Sequence, residues 1–173
     1  MPGLRYRVNL HNGAPAGVIA GLIFIGFQLV AIAALSGPAT AALPLRMIGA
    51  IVLGPAALVP GYSPIAVITT GLAIHVFLSA MYGVLFAQMV TRIAHGTEDE
   101  LLATTGQLAV AGTIFGTVLW LVNFYVVAPL AGWTWFPGNV HHAAAFFGHA
   151  FFFGCPLGWV FGRVASPRLL ETR

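Results

Sequence analysis

The amino-acid sequence predicts an all-α integral membrane protein: four transmembrane helices arranged as two parallel two-helix repeats, plus a short re-entrant or interfacial segment. Three observations predict it. Of 173 residues, 59% are apolar and 6% charged, against about 25% charged in a soluble domain. A soluble fold with so few charges would expose large apolar patches and aggregate. Four apolar stretches are long enough to cross about 30 Å of hydrocarbon, which takes about 20 helical residues. The charges that remain are confined to the segments between these stretches and to the chain ends.

The first predicted span is Ala14–Ser36. Charges precede it, but it is longer than the 7–15 residues of a signal-peptide core, so it reads as a membrane helix. The second runs Pro64–Thr91, with Ser63 as N-cap and Pro64 at the first helical position. The third covers about Leu101–Leu130 and follows Thr97-Glu98-Asp99-Glu100, a capping-box pattern. The fourth is Val140–Gly162, entered through Asn139 and kinked by Pro156, because proline removes a helix hydrogen bond and crowds the preceding turn. A fifth apolar piece, Leu45–Leu58, contains Gly54-Pro55 and is too short to span, which suits a re-entrant or interfacial segment.

Charge orients the spans. Four crossings place Arg5, Arg7, Arg92, Arg163, Arg168 and Arg173 on one face and Arg46 alone on the other. The positive-inside rule then puts both termini in the cytoplasm. Trp133, Trp135 and Tyr62 fall at the outer interface, and Tyr6 and Trp159 near the inner one. The net charge of +3 reports this topology, and no arginine stripe suits a nucleic acid. A lone cysteine, Cys155, excludes a disulfide framework within the chain and a cysteine zinc site.

The chain also reads as one domain, 1–173, built from a repeat of about 14–91 and another of about 101–163. Gly17, Gly21, Gln28 and Gly37 have counterparts 95 positions later in Gly112, Gly116, Asn123 and Gly132. Each set is followed by a helix with one histidine and a ladder of small residues: His75, Ser79, Gly83, Ala87, then His149, Gly154, Gly158, Gly162. The second histidine is displaced by one position. Two spans per copy make the copies parallel.

Depth selects the candidate site. At about 1.5 Å per residue, Gln28, His75, Asn123 and His149 fall about 12–16 Å below their outer helix ends, forming a polar layer. A polar group in hydrocarbon is costly unless paired, so all four are expected to face the bundle interior. The simplest role is glue between helices. A sharper one makes His75 and His149 the axial ligands of a b-type haem, with Gly71, Ser79 and Gly148 leaving room for the macrocycle. At the mouth of the fourth span, His141 and His142 are candidates for a copper or zinc ion, or a solvated pair at the helix start. No acid is available there, since Glu98, Asp99, Glu100 and Glu171 are cytoplasmic in this topology.

Gly17-x-x-x-Gly21, Gly112-x-x-x-Gly116 and the Gly154, Gly158, Gly162 ladder permit close helix approach, inside the chain or against another subunit. No serine, cysteine or carboxylate is paired with a histidine as an activated nucleophile. The Gly-rich first helix, the His75-x-x-x-Ser79-x-x-x-Gly83 pattern and Gly148-His149 resemble small uncharacterised bacterial four-span proteins, some of them accessory to respiratory oxidases. That resemblance implies a non-catalytic accessory subunit of a larger membrane complex, plausibly of an electron-transfer chain, with lipid and other membrane subunits as partners and no cofactor. The expected contact surfaces are the Gly154–Gly162 face, the phenylalanines around it, or the outer loop Gly37–Ser63. The alternatives are a haem b electron carrier and a small oligomeric transporter or channel.

Overall fold

A computed structural model describes residues 12–96, 104–138 and 141–164. Its helices are α1 (Gly13–Ser36), α2 (Leu43–Leu53), α3 (Pro64–Gly96), α4 (Thr105–Leu130) and α5 (His142–Val164). All but α2 are long and apolar enough to cross a membrane, and within lipid a helix satisfies its own backbone.

Local chemistry sets the ends. α1 stops at Gly37, whose φ of 94° leaves the helix while its N–H donates to Ala33 O at 3.0 Å. α2 stops in the same way at Gly54, φ 79°. The arginine between the first two spans, Arg46, then donates from Nη2 to the carbonyls of Ala57 (3.3 Å) and Val59 (3.1 Å), tying down the return loop. α3 begins at Pro64, with Ala66 N–H donating to Ser63 Oγ at 3.4 Å.

α4 begins later than the charge pattern suggests. Thr104 Oγ1 accepts from Gln107 N–H (3.2 Å) and Gln107 Oε1 from Thr104 N–H (2.9 Å), a complete capping box directly against the apolar run. The expected box at Thr97–Glu100 lies outside the described residues, as do Asn139 and Val140 before α5. Also outside them are Arg5, Arg7, Arg168, Arg173, Tyr6 and all four acids. His141 stands at the N-cap of α5 with no side-chain capping bond.

The two prolines that lie beyond the first turn of a span, Pro129 and Pro156, are each preceded by a π-helical turn. In α4 the turn is Asn123–Val127, closed by Ala128 N–H to Asn123 O, and Pro129 follows. In α5 it is Gly148–Gly154, closed by Cys155 N–H to Ala150 O, and Pro156 follows. A proline cannot donate to the carbonyl four residues back and its ring presses on that carbonyl. Widening the turn relieves the pressure, so the disturbance expected at Pro156 is taken up over the seven residues before it.

The spans run up and down, bringing the described ends together: Asn12 Nδ2 donates to Val164 O at 3.3 Å. α1 packs on α3, α4 on α5, and α1 on α5. Glycines make this closeness possible. A Cβ on Gly13 would lie 2.6 Å from Gly83 O, and one on Gly112 would lie 2.8 Å from Gly158 N. The ladder Gly154, Gly158, Gly162 therefore faces α4 within the chain, where Gly112, Leu108 and Thr105 cover it. This corrects its expected use as a face for other chains. Lipid and helix surfaces are equally apolar, so the small faces go where they allow closest contact.

α2 does not cross. It lies along the first turns of α3, where a Cβ on Gly49 would meet Val67 O at 2.6 Å. Trp135 Nε1 donates to Met47 O at 3.1 Å, so the α4–α5 connection also grips α2. Met47, Ala50, Ala57, Val67 and Trp135 form a small core at this end. The main core, with Phe86, Leu157 and Phe161 fully buried, fills the opposite half.

Candidate functional site

Between the two cores the bundle encloses a cavity of about 610 Å³, within the usual range for small-molecule pockets. Gln28 from α1, His75 from α3, Asn123 from α4 and His149 from α5 all line it. Tyr82 of α3 joins them. Ser79 and His141 also line it, and the remaining wall is apolar and rich in aromatic rings, among them Phe24, Phe124, Trp133 and Phe136. No acidic or basic side chain other than histidine lines it among the described residues.

Each polar group is held differently. His75, 6% exposed, donates from Nε2 to Gly21 O at 2.8 Å, bridging α3 to α1. This bond exists because Gly21 lets Ser79 and His75 approach: a Cβ there would meet Ser79 Cβ at 2.5 Å and His75 Nε2 at 3.5 Å. His149, 9% exposed, donates from Nδ1 to Ala145 O at 2.8 Å in its own helix, which leaves Nε2 for other partners. Tyr82 OH donates to Asn123 Oδ1 at 2.9 Å, bridging α3 to α4 and leaving the Asn123 NH₂. Gln28 Oε1 is buried with no hydrogen-bond partner among the described residues, as is Trp120 Nε1 outside the cavity. A buried polar atom without a partner costs about 1–3 kcal/mol.

Phe24 organises the histidines. Its ring lies 5.8 Å from His75 and 4.6 Å, edge-on, from His149. The small residues expected to make room for a macrocycle have other neighbours. A Cβ on Gly148 would meet Phe24 Cε2 at 2.6 Å, Gly71 faces the Leu45 carbonyl, and Ser79 Oγ donates to His75 O at 2.6 Å. A haem ligated by both histidines would compete with Phe24 for space and with the Gly21 carbonyl for His75 Nε2.

The other histidine pair diverges. His141 Nε2 and Ser36 Oγ are hydrogen-bonded at 3.1 Å, a serine–histidine pairing between residues far apart in sequence that corrects the expectation of none, whereas His142 stacks on Tyr125 at 6.4 Å. No cluster of three or more His, Cys, Asp or Glu suited to a metal occurs among the described residues.

Sequence reasoning passed over Tyr82, Phe24 and the two π turns. Tyr82 is seven positions from His75, two helical turns along one face, which was a usable signal. Pro129 and Pro156 were the signal for the π turns. Nothing local marks Phe24, one of 13 phenylalanines.

No protein-family model, curated protein or solved structure matches this chain. The resemblance to small four-span accessory proteins therefore rests on its residues alone, and four apolar spans in an all-α bundle are what stands of it.

Proposed function

We propose that this protein is a non-catalytic, membrane-embedded binding protein whose bundle cavity takes up a small lipid-soluble guest. One observation carries the reading: a cavity of about 610 Å³ in which four spans each contribute a polar side chain to an aromatic wall. Few polar groups converging on an apolar pocket is the arrangement by which proteins orient small molecules. The Gln28 amide oxygen, without a partner among the described residues, and the Nε2 that the His149–Ala145 bond leaves over add hydrogen-bonding capacity for a guest. In this reading the protein sits in a bacterial inner membrane with both termini cytoplasmic, and serves a larger membrane complex as its guest-binding accessory subunit.

An internal duplication supports the use of a shared cavity. Gly21 meets Ser79 and His75, while Gly116 meets Gly154 and the His149 carbonyl. The same pair of residue types is met in both, by side-chain atoms at Gly21 and by backbone atoms at Gly116, with histidine and small residue four apart in α3 and five apart in α5. A π turn is a one-residue insertion in a helix, and the one at Gly148–Gly154 sits between them. On this account it absorbs the extra residue, although His75 bonds the neighbouring helix at Gly21 O and His149 bonds Ala145 O in its own helix.

Native mass spectrometry of protein released from lipid nanodiscs tests the reading. The wild type should retain a non-covalently bound small molecule that is depleted in Ala31→Phe and Ala144→Phe, which fill the cavity from its wall. A chain that is empty, and stays empty after incubation with total membrane lipids, overturns it. The same preparation reports on the rival readings, through a Soret band for haem and larger co-purifying chains for a subunit without a guest.

A further inference from the structure

Three of the contacts between spans are close backbone packings, α1 on α3, α1 on α5 and α4 on α5; α3 and α4 are not packed in this way. Side chains bridge them instead. Tyr82 OH donates to Asn123 Oδ1 at 2.9 Å, and Phe86 meets Phe115 at 5.4 Å between ring centroids. On the α2 side of these bridges the two helices stand apart. Phe77 (68% exposed) and Met81 (37%) of α3 and Val127 (38%) of α4 line the cavity here, with Val52 (68%) of α2 beside them, and the exposed His141 lines it at the start of α5. A side chain that lines a cavity and is also exposed stands at its opening. This opening is in the flank of the bundle, among other exposed apolar residues such as Leu85, Val122 and Val126. In a span, such a flank faces lipid.

The lining restricts what can pass. With no fixed charge in the wall among the described residues, a carboxylate, phosphate or ammonium would be stranded in a low-dielectric site. An oxygen with no charge fits better: the Asn123 NH₂ and the Gln28 amide can donate to it, and His149 Nε2 can pair with a hydroxyl. The aromatic side chains favour a flat ring in the guest.

Resting on the cavity-binding reading above, we infer that the slot between α3 and α4 is a lateral portal. Through it an uncharged, ring-bearing amphiphile with a hydroxyl or carbonyl oxygen passes directly from the bilayer. The Tyr82–Asn123 hydrogen bond forms the sill of the portal, and the oxygen-bearing end of the guest reaches Asn123 and His149. α2 and the Trp133–Phe136 segment pack over the adjacent end of the bundle, and the Ser36–His141 bond joins α1 to α5.

The test uses the full chain in nanodiscs, with an alkyl-substituted benzoquinone delivered from vesicles and followed by stopped-flow quenching of tryptophan fluorescence. A fatty alcohol and a fatty acid of equal chain length serve as competitors. Met81→Phe and Val127→Phe narrow the slot at exposed positions and should slow association and dissociation together, with Kd little changed. Tyr82→Phe removes the sill bond and should speed exchange roughly two- to tenfold, the range of one hydrogen bond. Quinone binding with rates indifferent to all three variants overturns the portal and leaves the cavity reading intact. Competition by the fatty acid stronger than by the alcohol overturns the guest chemistry. No binding of any of the three probes removes the cavity reading itself. Should Tyr82→Phe fail to fold, the two narrowing variants decide, since neither breaks a hydrogen bond.

Discussion

Replacing Gly83 with alanine should push α1 and α3 apart. A Cβ at that position would lie 2.8 Å from Gly17 Cα and 2.9 Å from Gly17 N, and closer still to the Gly13 carbonyl oxygen. Carbon atoms in contact prefer about 3.5–4.0 Å, so the helices must separate by roughly 0.7–1.2 Å. All three obstacles are backbone atoms, so no rotamer change relieves them. Overpacking of this kind costs about 1–3 kcal/mol, offset in part by the helix preference of alanine over glycine, up to about 1 kcal/mol. A net loss of about 1–2 kcal/mol is expected. Gly26, on the open side of α1, is the control: an added Cβ meets nothing within 4 Å. There the preference of alanine acts alone, and Gly26→Ala should gain about 0.5–1 kcal/mol. Reversible unfolding in mixed micelles titrated with a denaturing detergent measures both. Equal stability of the two variants would refute the reasoning. Because Ser79 and His75 lie on the same face of α3, the Gly83 variant should also loosen the His75–Gly21 bond and weaken guest binding, a change Gly26→Ala should not cause.

Trp135→Phe removes the indole bond to the Met47 carbonyl and should cost about 1 kcal/mol. Hydrogen exchange should rise along α2 first, and unchanged protection there would count against the α4–α5 connection holding it. His75→Leu should cost about 0.6–1.7 kcal/mol, the worth of one interhelical bond in a membrane, without changing a visible spectrum. A Soret band present in the wild type and lost in this variant would promote the haem reading. Deleting Phe151, half-exposed within the π turn, should restore an ordinary helix and keep His149 aligned with Gly154. Circular dichroism and melting should then stay close to wild type, and a chain that cannot fold would refute the account of the extra residue. Single cysteines at Asn12 and Arg163, introduced with Cys155→Ser, should be labelled by an impermeant reagent from the same membrane face. Labelling from opposite faces would remove the four-span topology.

Much of the architecture was legible because each span is decided locally. Whether a stretch such as Gly13–Ser36 enters a membrane depends on its own transfer free energy and length, and both are sums over consecutive residues. The ends of α1 and α2 at Gly37 and Gly54 are local too. The start of α4 was misjudged because two capping patterns, Thr97–Glu100 and Thr104–Gln107, precede the same apolar run, and composition does not rank them.

The depths of Gln28, His75, Asn123 and His149 could be counted along each helix, and in the structure all four line one cavity. Counting could not supply what surrounds them. Gly148 admits Phe24 rather than a macrocycle, Tyr82 holds Asn123, and the prolines widen the turns that carry Asn123 and His149.

The sequence by itself determined the membrane class, the four long spans and the segments that join them. Only the tertiary structure decided that α1 and α5 pack closely while α3 and α4 leave a slot, and that the glycine ladder of α5 turns inward. The physical reason lies in the solvent. In water, an apolar stripe tells a helix which face to bury, but in lipid both faces are equally apolar, and the choice of neighbour rests on shape and on a few hydrogen bonds between residues far apart in sequence.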